Sequence, residues 1–245
     1  MDFILLLFIT ILPTLLLWKY VNKLDAKKEP SKVLLKLFFA GIVSAWLTVW
    51  VSLIIDGLIP GFIDAEITFS FTGFLYIFFG IALIEEGFKF WMTYNWGLKE
   101  DSLDETYDTI LYCMIVALGF ATVENLIYSA DGTITTAIFR FFTAVPGHVI
   151  DGAFMGYFVY KMKTTQKVKL NLFLAIIVPT ITHTIYDFIA LTAETSAGIL
   201  IFMAFVISEF IIALKLVKNI SKNSSPLSKK TDSYFQTTVF EKENK

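Results

Sequence analysis

The fold class predicted is all-α: a polytopic membrane bundle of about seven transmembrane helices, with the N-terminus outside and the C-terminus inside. Three observations lead there. The 245-residue chain is 56% hydrophobic and 17% charged, whereas soluble domains run at ~45–50% and ~25%. Its apolar residues, 25 Phe among them, gather in blocks of the ~20 residues needed to cross a ~30 Å hydrocarbon layer. Its basic residues are one-sided: on a seven-span reading with an outside N-terminus, every Lys and Arg except Lys89 and Arg140 falls on one side of the membrane, as the positive-inside rule requires. The same composition excludes a disordered chain and an ordinary cytosolic enzyme. A formal charge of −2 argues against a nucleic-acid partner. A single cysteine, Cys113, excludes an internal disulfide framework and a Cys-rich metal site.

The spans fall at 2–19, 34–55, 69–97, 109–130, 137–160, 171–192 and 197–217. The first has no basic stretch before it and no small-residue cleavage pattern after it, so it reads as a retained signal-anchor. The second follows the Lys-rich 19–36 segment. The third is the longest and is expected to tilt; it carries Glu85, Glu86 and Lys89. The fourth presents a thin face at Gly119, Ala121 and Thr122 before Glu124 and Asn125. The fifth has Arg140 near its outer end, then His148, Asp151 and a GxxxG run at Gly152 and Gly156, a spacing that lets helices approach closely. The sixth holds His183 and Asp187, and the seventh Glu209. Residues 1–218 form one membrane domain, with no internal repeat; 219–245 are polar and expected to be a disordered tail on the inner side.

A charge at the bilayer centre costs about 2.5–3.5 kcal/mol on insertion scales, so intramembrane ionisable groups are expected to face one another or a wet cavity. Both histidines of the chain, His148 and His183, lie within spans. Imidazole suits acid–base work, oxyanion donation or metal ligation. Lys89 stands i+4 from Glu85 and i+3 from Glu86 and can neutralise either. Asp187 stands i+4 from His183, where it can orient the ring.

Read in order, these positions resemble a known family. Glu85-Glu86-Gly87-Phe88-Lys89 is similar to the EExxK signature of the PrsW family of intramembrane proteases. The acidic stretch from Leu103 to Tyr112 looks like that family's loop into the next helix, and Gly119-Phe120-Ala121-Thr122-Val123-Glu124-Asn125 like its GFAxxEN motif. Arg140, Val145-Pro146-Gly147-His148 and Gly156-Tyr157 match its histidine helix, and His183-Thr184-Ile185-Tyr186-Asp187 its HxxxD motif. The resemblance spans about residues 80–190 and extends to the related CAAX-prenyl endopeptidases. It implies an intramembrane endopeptidase, multi-pass in the bacterial cytoplasmic membrane, that hydrolyses a membrane-anchored substrate. It further implies first-site cleavage of an anti-sigma factor in regulated intramembrane proteolysis during a stress response.

Peptide hydrolysis needs an activated water, an oxyanion donor and a proton for the leaving amine. The candidate catalytic residues are Glu85, Glu86, Glu124, His148, His183 and Asp187, with Lys89 and Asn125 in support. One carboxylate of the Glu85/Glu86 pair is expected to be the base, sharing the water with His148. His183, held by Asp187, would serve the oxyanion, together with Asn125. No cofactor is required by this scheme. A zinc alternative uses His148, His183 and a carboxylate such as Glu86 around an open position, although the HExxH spacing is absent. The rival functional classes are a proton- or ion-coupled transporter, which also needs buried carboxylates and histidines, and a non-catalytic scaffold. Asp151 and Glu209 lie outside the motifs and are expected to be structural or to line the cavity.

Overall fold

The computed structural model describes residues 3–63, 65–130 and 133–227, and it is helical throughout. α1 (Phe3–Leu24) and α2 (Ser31–Leu58) are single rods. The third crossing is composite: α3 (Phe71–Tyr76) passes into a π-helical turn (Ile77–Ala82) and then α4 (Leu83–Trp96). α5 (Thr106–Ala130), α6 (Ile134–Phe142), α7 (Ala144–Thr164), α8 (Val168–Thr192) and α9 (Ser196–Lys222) complete the bundle. Side-chain oxygens start three of these helices: Ser70 accepts from Gly73 N, Thr133 from Thr136 N and Thr195 from Gly198 N. Each satisfies an otherwise orphaned N–H of the first turn.

Two elements differ from the sequence expectation. The fifth span is two helices, not one. Pro146 has no N–H, and its ring would collide with the carbonyl of Phe142 four residues back. α6 therefore ends at Phe142, the chain turns at Thr143 (φ −122°, ψ −64°), and α7 starts anew. Six helical stretches among the described residues are long and apolar enough to cross a membrane. α7 is not one of them, because it carries His148, Asp151, Lys161 and Lys163; its neighbours enclose it. The last helix also overruns its expected end, continuing to Lys222. The residues after it dock on the start of α5: Thr106 N donates to Ser225 O (3.0 Å) and Leu227 N to Asp104 O (2.7 Å). The rest of the expected disordered tail, 228–245, lies outside the described residues.

α5 is the axis of the molecule. Its most apolar stretch is 78% buried, against 28% or less for the other candidate spans, whose outer faces carry exposed residues such as Trp50, Phe79 and Ile212. Missing side chains set the closest approaches. A Cβ on Gly41 would lie 2.0 Å from Val116 O, and one on Gly119 2.0 Å from Phe38 O, so α2 and α5 touch backbone to backbone. On another face of α5, the GxxxG pair does the same for α7: a Cβ on Gly152 would sit 2.9 Å from Cys113 O, and one on Gly156 2.5 Å from Ile110 Cα.

The basic ends of the helices are tied together. Lys27 pairs with Asp104 and Lys36 with Glu100. The Tyr112 hydroxyl donates to Glu29, and that of Tyr107 to Val21 O (2.9 Å). Asp108 accepts from the backbone N–H groups of Asp104 and Glu105, closing the turn into α5. Burial pushes the carboxyl groups of Asp25 and Glu29 above their ordinary range.

Candidate active site

The π-helical turn delivers Glu85 and Glu86 into the middle of the bundle. Such turns insert an extra residue into a helix and rotate the residues beyond it. Glu86 (0% exposed) and Lys89 (1%) are completely enclosed. Lys89 Nζ donates to Glu86 Oε1 (2.7 Å) and to His148 Nδ1 (2.9 Å), lies 3.8 Å from Glu85 Oε2, and sits 4.0 Å from the Phe120 ring centroid. The second contact decides a tautomer. An ammonium only donates, so His148 Nδ1 accepts and its proton resides on Nε2, which meets Glu124 Oε2 at 2.5 Å. Arg140 Nη2 closes on the same oxygen at 2.9 Å.

His183 reaches the cluster from α8. Its Nδ1 meets Glu86 Oε1 at 2.9 Å, and its Nε2 lies 3.4 Å from Asp187 Oδ2 and 3.8 Å from Glu85 Oε2. The two imidazoles stand edge to face with centroids 5.3 Å apart. Four helices thus supply one network: Glu86 joins the two histidines, one directly and one through Lys89. Glu85 differs from its neighbour. Its Oε2 is buried, yet it makes no hydrogen bond among the described residues.

The structure brings together Glu85, Glu86, Lys89, Glu124, His148, His183 and Asp187. Asn125 is the exception. Its Nδ2 donates to Thr10 O (2.9 Å) and its Oδ1 accepts from Arg140 Nε (3.1 Å), so its donors face α1 and it braces Arg140 instead of meeting an oxyanion. Asp187 also shares its expected task, since Glu86 takes the far nitrogen of His183. Two further residues join or border the cluster. Asp151 is part of the cluster and accepts from the Thr182 hydroxyl (2.6 Å); its i+3 spacing from His148 was the available signal. Arg140 neutralises Glu124, a pairing across two helices that no local spacing encodes.

Two donor sets have ligand atoms within 4.8 Å of one another: Glu86, His148, Asp151 and His183, and Glu85, Glu124 and His148. The first contains the zinc candidates read from sequence. It fits a cation poorly, because the Lys89 ammonium already bridges Glu86 and His148. The second fits better: it combines two carboxylates with an imidazole, and Glu85 Oε2 is buried without a hydrogen bond, which is costly, but a cation there would have to displace the His148 Nε2 proton held against Glu124.

Space around the cluster is provided on two sides. A cavity of about 340 Å³ bordered by Ser52, Phe62, Tyr76 and Tyr128 reaches Glu85 and Glu124. A small void of about 20 Å³ lies among Glu124, His148, Asp151, His183 and Glu209.

A profile of the family described as PrsW family intramembrane metalloprotease matches residues 29–213. Among curated proteins, the chain is 32% identical over 216 residues to Protease PrsW of Oceanobacillus iheyensis, covering 87% of this chain and 95% of that protein. It is 31% identical over 211 residues to Protease PrsW of Clostridioides difficile, covering 82% and 85%. No solved structure matches. With coverage of that extent, and the motif residues converging on one buried cluster, the chain belongs to the PrsW family of intramembrane proteases.

Proposed function

We propose that this peptidase hydrolyses a peptide bond in a membrane-anchored protein by attack of a water held among Glu85, Glu124 and His148. The observation that carries the reading is the contrast between two adjacent carboxylates. Glu86 Oε1 is taken up by Lys89 and His183, so Glu86 is the anchor. Glu85 Oε2 has no hydrogen bond, and Glu85 borders the cavity it shares with Glu124, where a water can be held. Glu85 therefore takes the proton of the attacking water. His148 Nε2–H and Arg140 both close on Glu124 at the edge of that space. His183 Nε2, steered by Asp187, donates to the carbonyl oxygen as it gains charge, and Glu85 returns its proton to the leaving amine. A divalent cation, were it to displace the proton of His148 Nε2, would be held by Glu85, Glu124 and His148 and would supply Lewis acidity to a bound water.

The substrate class proposed is a single-span protein of the anti-sigma-factor type, cut at the first site of a regulated proteolytic cascade in the bacterial cytoplasmic membrane. This part is supported by the family resemblance alone. The orientation proposed is N-out and C-in, supported by the gathering of Lys27, Lys36 and the ends of α1, α5 and α9 at one end of the bundle.

The test is cleavage of a single-span reporter in proteoliposomes by the wild type and by Glu85→Gln, Glu86→Gln and His148→Ala proteins, with metal analysis of each preparation. Loss of cleavage in Glu85→Gln supports the assignment; cleavage at the wild-type rate rejects it.

A further inference from the structure

Glu209 is the buried acid that the proposed mechanism does not use. It stands near the middle of α9, on the inward stripe of Phe202, Ala213, Val217 and Ile220, and it is 8% exposed. Its Oε1 is buried without a hydrogen bond among the described residues. It lines two spaces. One is the small void that holds His148, Asp151 and His183. The other is a cavity of about 370 Å³ between α1, α6, α7 and α9, walled by Leu16, Leu17, Phe142, Pro146, Met203 and Ile207. Gly147, Tyr186 and Glu209 line both. Four of the wall residues, Leu16, Phe142, Met203 and Ile207, are also exposed on the outer surface, so the cavity opens where lipid would lie.

An unpartnered carboxylate is expensive in such a place. A residue that only filled the helix interface would be Leu or Met. A hydrolysable peptide bond has the complementary need. Within a membrane helix its N–H and C=O are bonded to the helix itself. A protease must open that helix, and each opened N–H then requires a buried acceptor.

We propose that the α1/α6/α7/α9 cavity receives the apolar segment of the substrate next to the scissile bond, and that Glu209 accepts a hydrogen bond from a backbone N–H freed by its unwinding. The occupant is identified on the strength of the protease reading. The surroundings agree with this assignment: an apolar wall suits apolar side chains, a single acceptor suits one opened turn, and the cavity shares Gly147, Tyr186 and Glu209 with the void beside His183. Glu209 is thus a substrate-positioning residue that stabilises the open, cleavable form of the segment.

The probes are two fluorescent single-span peptides of leucine and alanine, one uninterrupted and one with a central Gly-Pro pair that opens the helix. Binding is measured in nanodiscs with Glu85→Gln protein, so that cleavage plays no part. The interrupted peptide is expected to bind more tightly than the uninterrupted one. Glu209→Leu should weaken its binding about tenfold, the scale of one buried hydrogen bond, and Glu209→Gln, which keeps an acceptor, should recover part of it. Without peptide, Glu209→Leu should melt at a higher temperature than its parent, because an orphaned carboxylate is removed; a lower melting temperature would mark a structural role and overturn the proposal. Equal affinity of Glu209→Leu and its parent for the interrupted peptide would overturn it too, as would no binding by the parent. A protein that binds in this Glu209-dependent way but whose wild type cleaves no reporter leaves this inference standing and rejects the protease chemistry.

Discussion

At the scale of single residues, the neighbours Glu85 and Glu86 show how one helical step separates two tasks. Glu86 is fully enclosed and bonded to Lys89 and His183; Glu85 keeps an oxygen without a hydrogen bond. Substitutions should therefore part company. Glu86→Ala strands the Lys89 ammonium without its main counter-charge and should destabilise the protein by about 3–5 kcal/mol, the usual result of breaking a buried pair from one side; thermal melting in detergent reads this. Glu85→Gln should leave the melting temperature nearly unchanged while cleavage falls by about 10²–10⁴-fold, the range for losing a general base. The members of the buried cluster could be singled out in the sequence because membrane helices seldom carry ionisable groups without a use. Which carboxylate is the anchor was not legible. Lys89 stands within reach of both by helical spacing, and the choice is made by His148 and His183, which arrive from α7 and α8. Asn125 shows the converse: its proximity to Glu124 in sequence suggested a shared task, yet successive residues on a helix point about 100° apart, and its amide faces Thr10 on α1.

At the scale of elements, close contacts and breaks place the site. The α5–α7 contact rests on Gly152 and Gly156, and a Cβ at Gly156 would meet the Ile110 backbone at 2.5 Å. Gly156→Val should cost about 1–3 kcal/mol or more and should lower activity by moving His148. Gly87, inside α4 beside Glu86, has nothing within 4 Å of its missing Cβ; Gly87→Ala should raise stability by about 0.5–1 kcal/mol and retain cleavage. A second consequence belongs to the turn between α1 and α2. Asp25 and Glu29 are buried there, and burial raises their carboxyl pKa values in the folded protein. A raised carboxyl binds its proton more tightly when folded than when unfolded. Its contribution is therefore full at low pH and declines as pH rises from the unfolded value through the folded one. Asp25→Asn should flatten the fall of melting temperature across that window. The π-helical turn and the break at Thr143 were invisible to a reading based on apolar length, because hydropathy reports how long a segment is and not how it is wound. The break did carry a local mark in Pro146, whose ring cannot follow Phe142 in one continuous helix.

At the scale of the whole molecule, the sequence displays its membrane character in composition and its topology in the one-sided lysines. The docking of the basic ends agrees with that reading: residues near 25–36, 100–108 and 221–227 interlock at one end of the bundle. What composition does not convey is the concentric plan, with α5 at the axis and α7 beside it. α7 is too polar to satisfy the criteria of a free-standing span because it lives inside the protein, where His148 and Asp151 face partners and not lipid. That arrangement would let the proposed water-dependent chemistry occur within the bundle, since the polar helix is surrounded by apolar ones. The central claim is hydrolysis at this buried cluster by a water that Glu85 activates. Mass spectrometry of a single-span substrate digested in ¹⁸O-labelled water tests it most directly. The wild type should yield two fragments cut within the membrane segment, with one ¹⁸O in the new carboxyl group, and Glu85→Gln should yield neither; an intact substrate with the wild type, or the same labelled fragments from Glu85→Gln, would contradict the account.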